Sequence, residues 1–227
     1  MRIVKLFGWL SLAVPVVLAG LAHAQMPIPD RDYKVINPPQ KPANAKRIEV
    51  IEFFSYACPH CADFEAPLQD WLKRQQKDVE YKAVPVVFRE QWKPLAKLYY
   101  TLETMALVDR YHDKIFDAIH KQGQQLFDDQ AIIKWADQQG IDGVKFAQVY
   151  NSFGIDAKVQ RAMAMGRAYG VQFTPSLAVN GKYFTGPSMV TGPGGDVDLM
   201  RFFGVLDQLI GMERKRAGAP AAGKPNS

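Results

Sequence analysis

Apolar and polar positions follow two different periods along the chain, and the first change of period marks a βαβ unit. Residues 47–55 and residues 79–88 are apolar, β-branched runs that each predict a buried strand. Between them, residues 59–76 carry apolar side chains at helical spacing, with Pro67 expected to bend the helix. Two strands joined by a crossover helix pair in parallel, so these three segments predict a parallel βαβ unit.

Residues 93–169 contain only helical patterns, separated by residues that favour helix starts. The predicted helices begin at or near Pro94, Asp109, Asp128 or Asp129, Asp142 and Asp156. No strand pattern interrupts them. We therefore expect an all-helical domain inserted into an α/β domain.

Strand patterns return after this helical stretch. Residues 175–179 and 182–185 flank Asn180-Gly181, a dipeptide that strongly favours a tight hairpin turn. The two strands should therefore pair antiparallel.

Each end of the α/β part adds one more element. Residues 33–36 predict a short edge strand, and Asp196 is expected to cap a last helix that runs to Ile210. The complete order is βαβ, helical insertion, ββα. It predicts an α/β fold with a mixed central sheet of four to five strands and helices on both faces.

Residues 1–24 predict a cleaved secretory signal peptide. Arg2 and Lys5 precede the mostly apolar residues 6–21, and Ala22-His23-Ala24 fits a small-x-small cleavage site. The apolar part is short for a membrane span. We expect cleavage after Ala24 and no stable membrane insertion, with a retained signal anchor as the alternative.

Charge and composition favour an exported protein with a substantial core. Loss of the signal peptide lowers the formal net charge from +5 to +3, which is too small to favour nucleic acid or anionic membrane as a partner. Apolar residues make up 48% of the chain, so a core can form without disulfide cross-links. The composition of residues 215–227 predicts a disordered tail.

The candidate chemistry lies in Cys58-Pro59-His60-Cys61, at the junction between the first predicted strand and helix. These are the only two cysteines of the chain. Pro59 suits the first helical turn, and a helix N-terminus stabilises a thiolate at Cys58. His60 can stabilise that thiolate by charge or by a hydrogen bond. Cys61, one turn further in, would be the resolving thiol, so the motif predicts a redox-active disulfide.

Other uses of the cysteine pair are less favoured. A structural zinc site takes about four ligands, and the sequence offers no second cysteine pair and no cluster of histidines near the first. A purely structural disulfide is a further alternative. Covalent c-type haem is excluded because Ala62 stands where a histidine is required. We expect neither a metal nor a cofactor.

Several of these features together resemble the DsbA family, the periplasmic thiol–disulfide oxidoreductases of Gram-negative bacteria. They are the segment Glu-Phe-Phe-Ser-Tyr-Ala-Cys-Pro-His-Cys at residues 52–61, the Thr174-Pro175 pair before the hairpin, and the order of elements. The resemblance covers about residues 33–210. It implies a thioredoxin fold built from residues 25–92 and 170–214, with residues 93–169 as the inserted helical domain.

The resemblance also assigns roles to residues outside the cysteine motif. Pro175 is expected to be cis, and with Thr174 to form a lip that binds the backbone of a substrate peptide. Glu52 would lie under the active site and assist proton transfer at the buried cysteine, within a charged network that includes Glu65 and Lys82. The alternatives are a solvated edge-strand position for Glu52 and simple surface charges for the other two.

The function implied by the resemblance is that of a monomeric periplasmic oxidase. It would donate its disulfide to exported proteins with free cysteines and be reoxidised by a DsbB-type, quinone-linked membrane protein. A reductase or isomerase is one alternative, although isomerases of the DsbC type carry an N-terminal dimerisation domain for which there is little room before residue 47. A non-catalytic, thiol-dependent binding or chaperone module is the other.

Overall fold

The computed structural model describes residues 26–218, in which five strands form one mixed sheet. The predicted signal peptide and the last part of the predicted tail lie outside these residues. The strands are β1 (Lys34–Val35), β2 (Ile48–Phe54), β3 (Val79–Pro85), β4 (Ser176–Val179) and β5 (Tyr183–Thr185). Their order is β1-β5-β4-β2-β3, with β2 and β3 parallel and the other neighbours antiparallel. The predicted mixed sheet is confirmed.

Helices occupy most of the remaining chain. They are α1 (Pro59–Leu72), α2 (Lys93–Thr104), α3 (Val108–Phe116), α4 (Asp129–Gln138), α5 (Gly143–Tyr150), α6 (Phe153–Ala168) and α7 (Leu199–Gly218). A π-helical turn, Asp117–Lys121, extends α3. Helices α2 to α6 follow one another with no strand between them, as the pattern predicts, and their status as a separate domain stays a prediction. Among the described helices, none combines the length and the apolar character needed to cross a membrane.

Aspartate side chains cap several of the helices. Asp128 and Asp142 each accept a hydrogen bond from the backbone N–H three residues further on, which confirms the predicted starts of α4 and α5. The last helix differs from its prediction. Asp198 caps it by accepting from the Arg201 N–H at 2.9 Å, while the backbone carbonyl of Asp196 closes the preceding glycine-rich loop.

Two helices end at positions other than those predicted. Helix α1 stops at Leu72, short of residue 76, and α7 continues through residues 215–218, which the composition had assigned to a disordered tail. Basic residues in the last turn of α7 favour the helix because they face the negative end of its dipole. Arg214 also anchors that turn through an ion pair with Asp78.

The sheet separates two hydrophobic cores. One face packs on α1 and α7, where Trp71 and Phe203 stack with their ring centroids 5.7 Å apart. The other face packs mainly on the helices between β3 and β4, with Phe53 against Tyr169 at 5.2 Å. The strand that leads to the cysteine motif is therefore buried on both faces, and every residue of β2 is buried.

The β4–β5 hairpin turns at Asn180-Gly181, as predicted. Both residues have positive φ angles, 51° and 66°, which suits the turn type that this dipeptide favours. A side chain at Gly181 would also place its Cβ 2.0 Å from the backbone oxygen of Gln40. The hairpin therefore requires glycine for its backbone angle and for the close approach of the neighbouring loop.

Candidate active site

The cysteine motif lies where β2 passes into α1. Cys58 is the N-cap residue of α1 and Pro59 occupies its first turn, as predicted. Both cysteines are buried, with 9% of Cys58 and 1% of Cys61 exposed. The two thiols therefore differ in access to solvent before any chemistry is considered.

The predicted proline lip closes over the outer cysteine. The Thr174–Pro175 peptide bond is cis, as expected. The backbone oxygen of Thr174 lies 3.4 Å from the Sγ of Cys58, although the two residues are 116 positions apart. The fold thus brings together the two motifs on which the resemblance was based.

The surroundings of Cys58 favour its thiolate. The largest effect is a hydrogen bond from the Cys61 thiol, which lowers the pKa of Cys58. Burial opposes this effect, while the Thr174 side chain and the backbone N–H groups of Cys61 and His60 add to it. The resulting pKa of Cys58 is about 5, well below the ordinary value of 9.0.

Cys61 shows the opposite behaviour. Burial raises its pKa far above the ordinary range, and its contact with Cys58 and the negative charge of Glu52 raise it further. At neutral pH the reduced pair therefore holds one thiolate at Cys58 and one protonated thiol at Cys61.

His60 lies exposed in the first turn of α1. It contributes to the low pKa of Cys58 through its backbone N–H. His60 was expected to stabilise the thiolate by charge or by a hydrogen bond, and the contribution of the Cys61 thiol is larger than that of His60.

Glu52 lies in the centre of the sheet, on a strand paired on both sides, and only 1% of it is exposed. This position rules out the solvated edge-strand alternative. The Tyr81 hydroxyl on β3 donates a hydrogen bond to its carboxyl group. Burial raises the pKa of Glu52 to about 8, the charge of Glu65 adds to the rise, and the Tyr81 hydrogen bond counteracts it.

Glu65 and Lys82 have different positions. Glu65 on α1 is 7% exposed and close enough to raise the pKa of Glu52, whereas Lys82 is exposed and pairs in register with Ile51. Because adjacent residues of a strand point to opposite faces, Lys82 lies on the other side of the sheet from Glu52. The expected three-residue network is wrong for Lys82.

Sequence reasoning missed the partners that complete this buried cluster. Tyr81 could have been found from the parallel register. Ala83 pairs with Glu52, and Tyr81 stands two positions before Ala83 and so lies on the same face of the sheet. His112 of α3 places its Nε2 3.4 Å from the Glu65 carboxylate and its Nδ1 2.7 Å from the Tyr56 hydroxyl. No sequence signal links α3 to the cysteine motif, because the contact depends on how the helices pack.

A groove of about 300 Å³ runs beside the motif, and its lining is mostly apolar. Its lining residues are His60, Asp63, Phe64, Thr174, Pro175, Pro187, Ser188, Val197 and Leu199. His60 and the proline lip therefore border the same groove. Within residues 26–218, no three His, Cys, Asp or Glu side chains are grouped so as to hold a metal ion.

Comparisons with known proteins agree with this geometry. A family model described as thioredoxin matches residues 43–192. The thiol:disulfide interchange protein DsbA of Bordetella parapertussis is 39% identical over 211 residues, which cover 93% of this chain and 97% of that protein. The protein of the same name from Burkholderia cepacia is 36% identical over 201 residues, covering 87% and 94%.

Solved structures give the same result. The crystal structure of Pseudomonas aeruginosa DsbA matches with a TM-score of 0.79 at 30% identity, covering 85% of this chain and 97% of that chain. The expected thioredoxin fold with an inserted set of helices is thereby confirmed. The chain belongs to the DsbA family of thiol:disulfide interchange proteins.

Proposed function

We propose that this thiol:disulfide oxidoreductase acts as an oxidase, which donates a Cys58–Cys61 disulfide to exported proteins. The observation that carries the proposal is the stabilised Cys58 thiolate beside a Cys61 thiol that stays protonated, because a stabilised thiolate favours the reduced pair. The pKa of Cys58, about 5, lies two units below pH 7. Each such unit stabilises the reduced form by about 1.4 kcal/mol, so the two units raise the reduction potential by roughly 60 mV.

The proposed reaction begins at the more accessible sulfur. A substrate thiolate attacks Cys58 Sγ, the Cys58–Cys61 bond breaks, and Cys61 leaves as a thiolate that takes up a proton. A second substrate thiolate then attacks the substrate sulfur of the mixed disulfide and expels the Cys58 thiolate. The substrate loses two electrons and gains a disulfide, and the enzyme ends as one thiolate and one thiol.

Glu52 is the proposed source of the proton for Cys61. Its raised pKa keeps it protonated at neutral pH, and it is close enough to Cys61 that the charge of an ionised Glu52 would raise the pKa of that thiol. A buried acid with a pKa near the working pH is suited to this transfer. Donation leaves Glu52 as a carboxylate. Protons that the substrate thiols release to solvent when they ionise must then protonate Glu52 again.

Substrate binding is proposed at the lip formed by Thr174 and Pro175 and in the groove beside it. The apolar lining favours apolar side chains, and contacts with the peptide backbone favour broad specificity. The partners would be exported proteins with free cysteines, with a DsbB-type, quinone-linked membrane protein as the reoxidant. The proposal places the protein in the periplasm, which the signal-peptide pattern of residues 1–24 supports, and takes it to be a monomer.

The first test is the reduction potential of the mature protein, equilibrated with glutathione buffers at pH 7. We expect a value well above the roughly −270 mV of thioredoxin. A value close to that of thioredoxin would contradict the oxidase assignment and favour a reductase. A chain without any reversible two-electron couple would instead indicate a binding module or a structural disulfide. The Cys58→Ala variant serves as the control, because it cannot form the couple.

A further inference from the structure

A histidine from the helical stretch contacts Glu65, one of the two buried glutamates near the cysteine pair. His112 is 8% exposed, and each of its ring nitrogens contacts a polar atom. Nε2 lies 3.4 Å from Glu65 Oε2, and Nδ1 lies 2.7 Å from the Tyr56 hydroxyl oxygen. Both partners are themselves buried, with Glu65 7% and Tyr56 1% exposed.

These contacts suit a doubly protonated ring. A carboxylate accepts hydrogen bonds only, so Nε2 must donate to Glu65. A hydroxyl can donate or accept, so the Tyr56 oxygen can accept from Nδ1–H. An imidazolium at this position would therefore find an acceptor for each of its two protons, which is the condition for keeping a charge in a protein interior.

The groups around His112 leave Glu65 as its nearest counter-charge. Aromatic rings surround the imidazole, with centroids 5.1 to 6.2 Å away, from Phe54, Tyr56, Tyr99 and Phe116. The titratable groups that face it are Glu65 from α1, Tyr56 from the preceding loop and Tyr99 from α2. On its own helix, the neighbouring Asp113 is exposed.

We propose that His112 is a positioning residue for the proton chemistry beneath the cysteine pair, whose imidazolium holds Glu65 as a carboxylate and thereby sets how readily Glu52 keeps its proton. His112 thus supplies, from the helical stretch, the cation that the family resemblance placed at Lys82. This inference rests on the proposed role of Glu52 as the proton source for Cys61.

The coupling has a physical basis at each step. His112 lowers the pKa of Glu65 through a hydrogen bond and through its charge, against the opposing effect of burial. The Glu65 charge in turn raises the pKa of Glu52. An uncompensated Glu65 carboxylate would raise it further, and charges act strongly on one another here because little water separates them.

Glu65 also connects this cluster with solvent. It lines a cleft of about 320 Å³ between α1 and α3, whose other lining residues include the exposed Asp70, Lys73 and Asp113. Glu52 itself is almost completely buried. Glu65, which His112 contacts, therefore borders this cleft and also acts through its charge on the acid that must be reprotonated in each turnover.

The first experiment uses the unaltered mature protein in its reduced state. The ¹⁵N shifts of the His112 ring and the ¹³C shift of the Glu65 carboxyl carbon are followed by NMR from pH 4 to pH 9. We expect imidazolium shifts for His112 at pH 7 together with an ionised Glu65. A neutral His112 ring at pH 7 would overturn the proposal, and this result does not depend on oxidase activity.

The second experiment is a double-mutant cycle with the Glu52 carboxyl titration as its readout. H112Q should raise the Glu52 midpoint on the order of one pH unit, because a nearby charge shifts a carboxyl pKa by about one to three units and His112 acts on Glu52 through Glu65. The shift should be largely lost in the E65Q background, because His112 then has no carboxylate to compensate. An unchanged Glu52 midpoint in H112Q, or an equal shift with and without Glu65, would overturn the proposal.

H120Q is the matched control. His120 also belongs to the α3 region, bonds the Tyr56 backbone oxygen at 2.8 Å and stacks on Phe116. Neither of these contacts involves Glu65, so its replacement should leave the Glu52 midpoint in place. Equal shifts in H112Q and H120Q would mean that both changes act through packing alone. If H112Q does not fold, H112N replaces it in the same cycle, and the titration of the unaltered protein decides the matter independently.

The experiment also separates this inference from the proposed function. In the oxidised enzyme, the pH above which the first exchange step slows should move upward in H112Q in parallel with the Glu52 midpoint. Suppose the reduction potential lies well above that of thioredoxin, but the pH at which the exchange step slows is the same in H112Q and in the wild-type protein. This result would refute only the role of His112. A reduction potential near that of thioredoxin, with the NMR result intact, would refute the oxidase assignment alone.

Discussion

Replacing Cys61 with alanine should raise the pKa of Cys58, because the Cys61 thiol makes the largest single contribution to stabilising the Cys58 thiolate. A hydrogen bond to a charged group contributes about 1.5–3 kcal/mol. At about 1.4 kcal/mol per unit, its loss corresponds to a rise of roughly one to two pKa units. We therefore expect the C61A midpoint to lie one to two units above the value of about 5 in the wild-type protein.

The assay is the ultraviolet absorbance of the thiolate, followed as the reduced mature protein is titrated with acid. Only Cys58 contributes in the variant, and in the wild-type protein Cys61 stays protonated across the same range because burial raises its pKa. The C61S variant is the matched control. Its hydroxyl can still donate to the thiolate, so its midpoint should fall between those of the wild-type and C61A proteins.

A C61A midpoint indistinguishable from that of the wild-type protein would refute this reasoning. The low pKa would then have to come from the Thr174 side chain, the backbone N–H groups and the helix dipole, which typically supplies only about 0.3–1 kcal/mol. Identical midpoints for C61A and C61S, both raised, would attribute the effect to the sulfur atom and exclude a hydrogen bond that a hydroxyl can replace.

Three further predictions concern buried and exposed charges. Because the pKa of Glu52 is raised to about 8, its ionisation opposes folding as pH rises from 4.5 to 8. The melting temperature of E52Q should therefore increase relative to that of the wild-type protein across this range. Melting temperatures that change in parallel with pH would contradict this. D32A should lower the free energy of unfolding in urea at pH 7 by about 2–3 kcal/mol. Breaking a fully buried pair costs about 3–5 kcal/mol, and the loss is smaller here because the partner Arg201 stays 26% exposed. The pKa of Asp32 is lowered to about 2 by hydrogen bonds that outweigh burial, so this contribution should be complete above pH 3.8 and vanish as pH falls through 2. K82Q should leave the Cys58 thiolate midpoint unchanged, since Lys82 lies across the sheet from Glu52, and a shifted midpoint would contradict the register.

The active site shows why short-range and long-range features differ in how well a sequence predicts them. The strand, the helix start at Cys58 and the Asn180-Gly181 hairpin depend on side chains within a few residues of one another, and each was predicted. The cap of the last helix was assigned to Asp196 and lies at Asp198. Both aspartates fit the local pattern, and only the path of the preceding loop selects between them.

The buried charges around the cysteines were harder to predict. Glu52 stands out in the sequence because a carboxylate in an apolar strand needs a partner, whereas Glu65 was singled out only by the resemblance. The partner does not stand out, because a lysine one position out of the correct strand register looks as suitable as one in register. Lys82 is one residue out of register with Glu52 and therefore lies on the opposite face of the sheet. The sequence alone does not determine which face a strand residue occupies.

By itself the sequence determined the order of elements, the redox motif and its family, because these depend on local periodicity and on contiguous residues. Only the tertiary structure decided that the Cys61 thiol is the strongest stabiliser of the Cys58 thiolate, and that His112 stands beside Glu65. Both facts depend on distances of a few ångströms between groups whose separation is set by packing. Burial then magnifies their consequences, since a charge in a dry interior acts far more strongly on its neighbours than one in water.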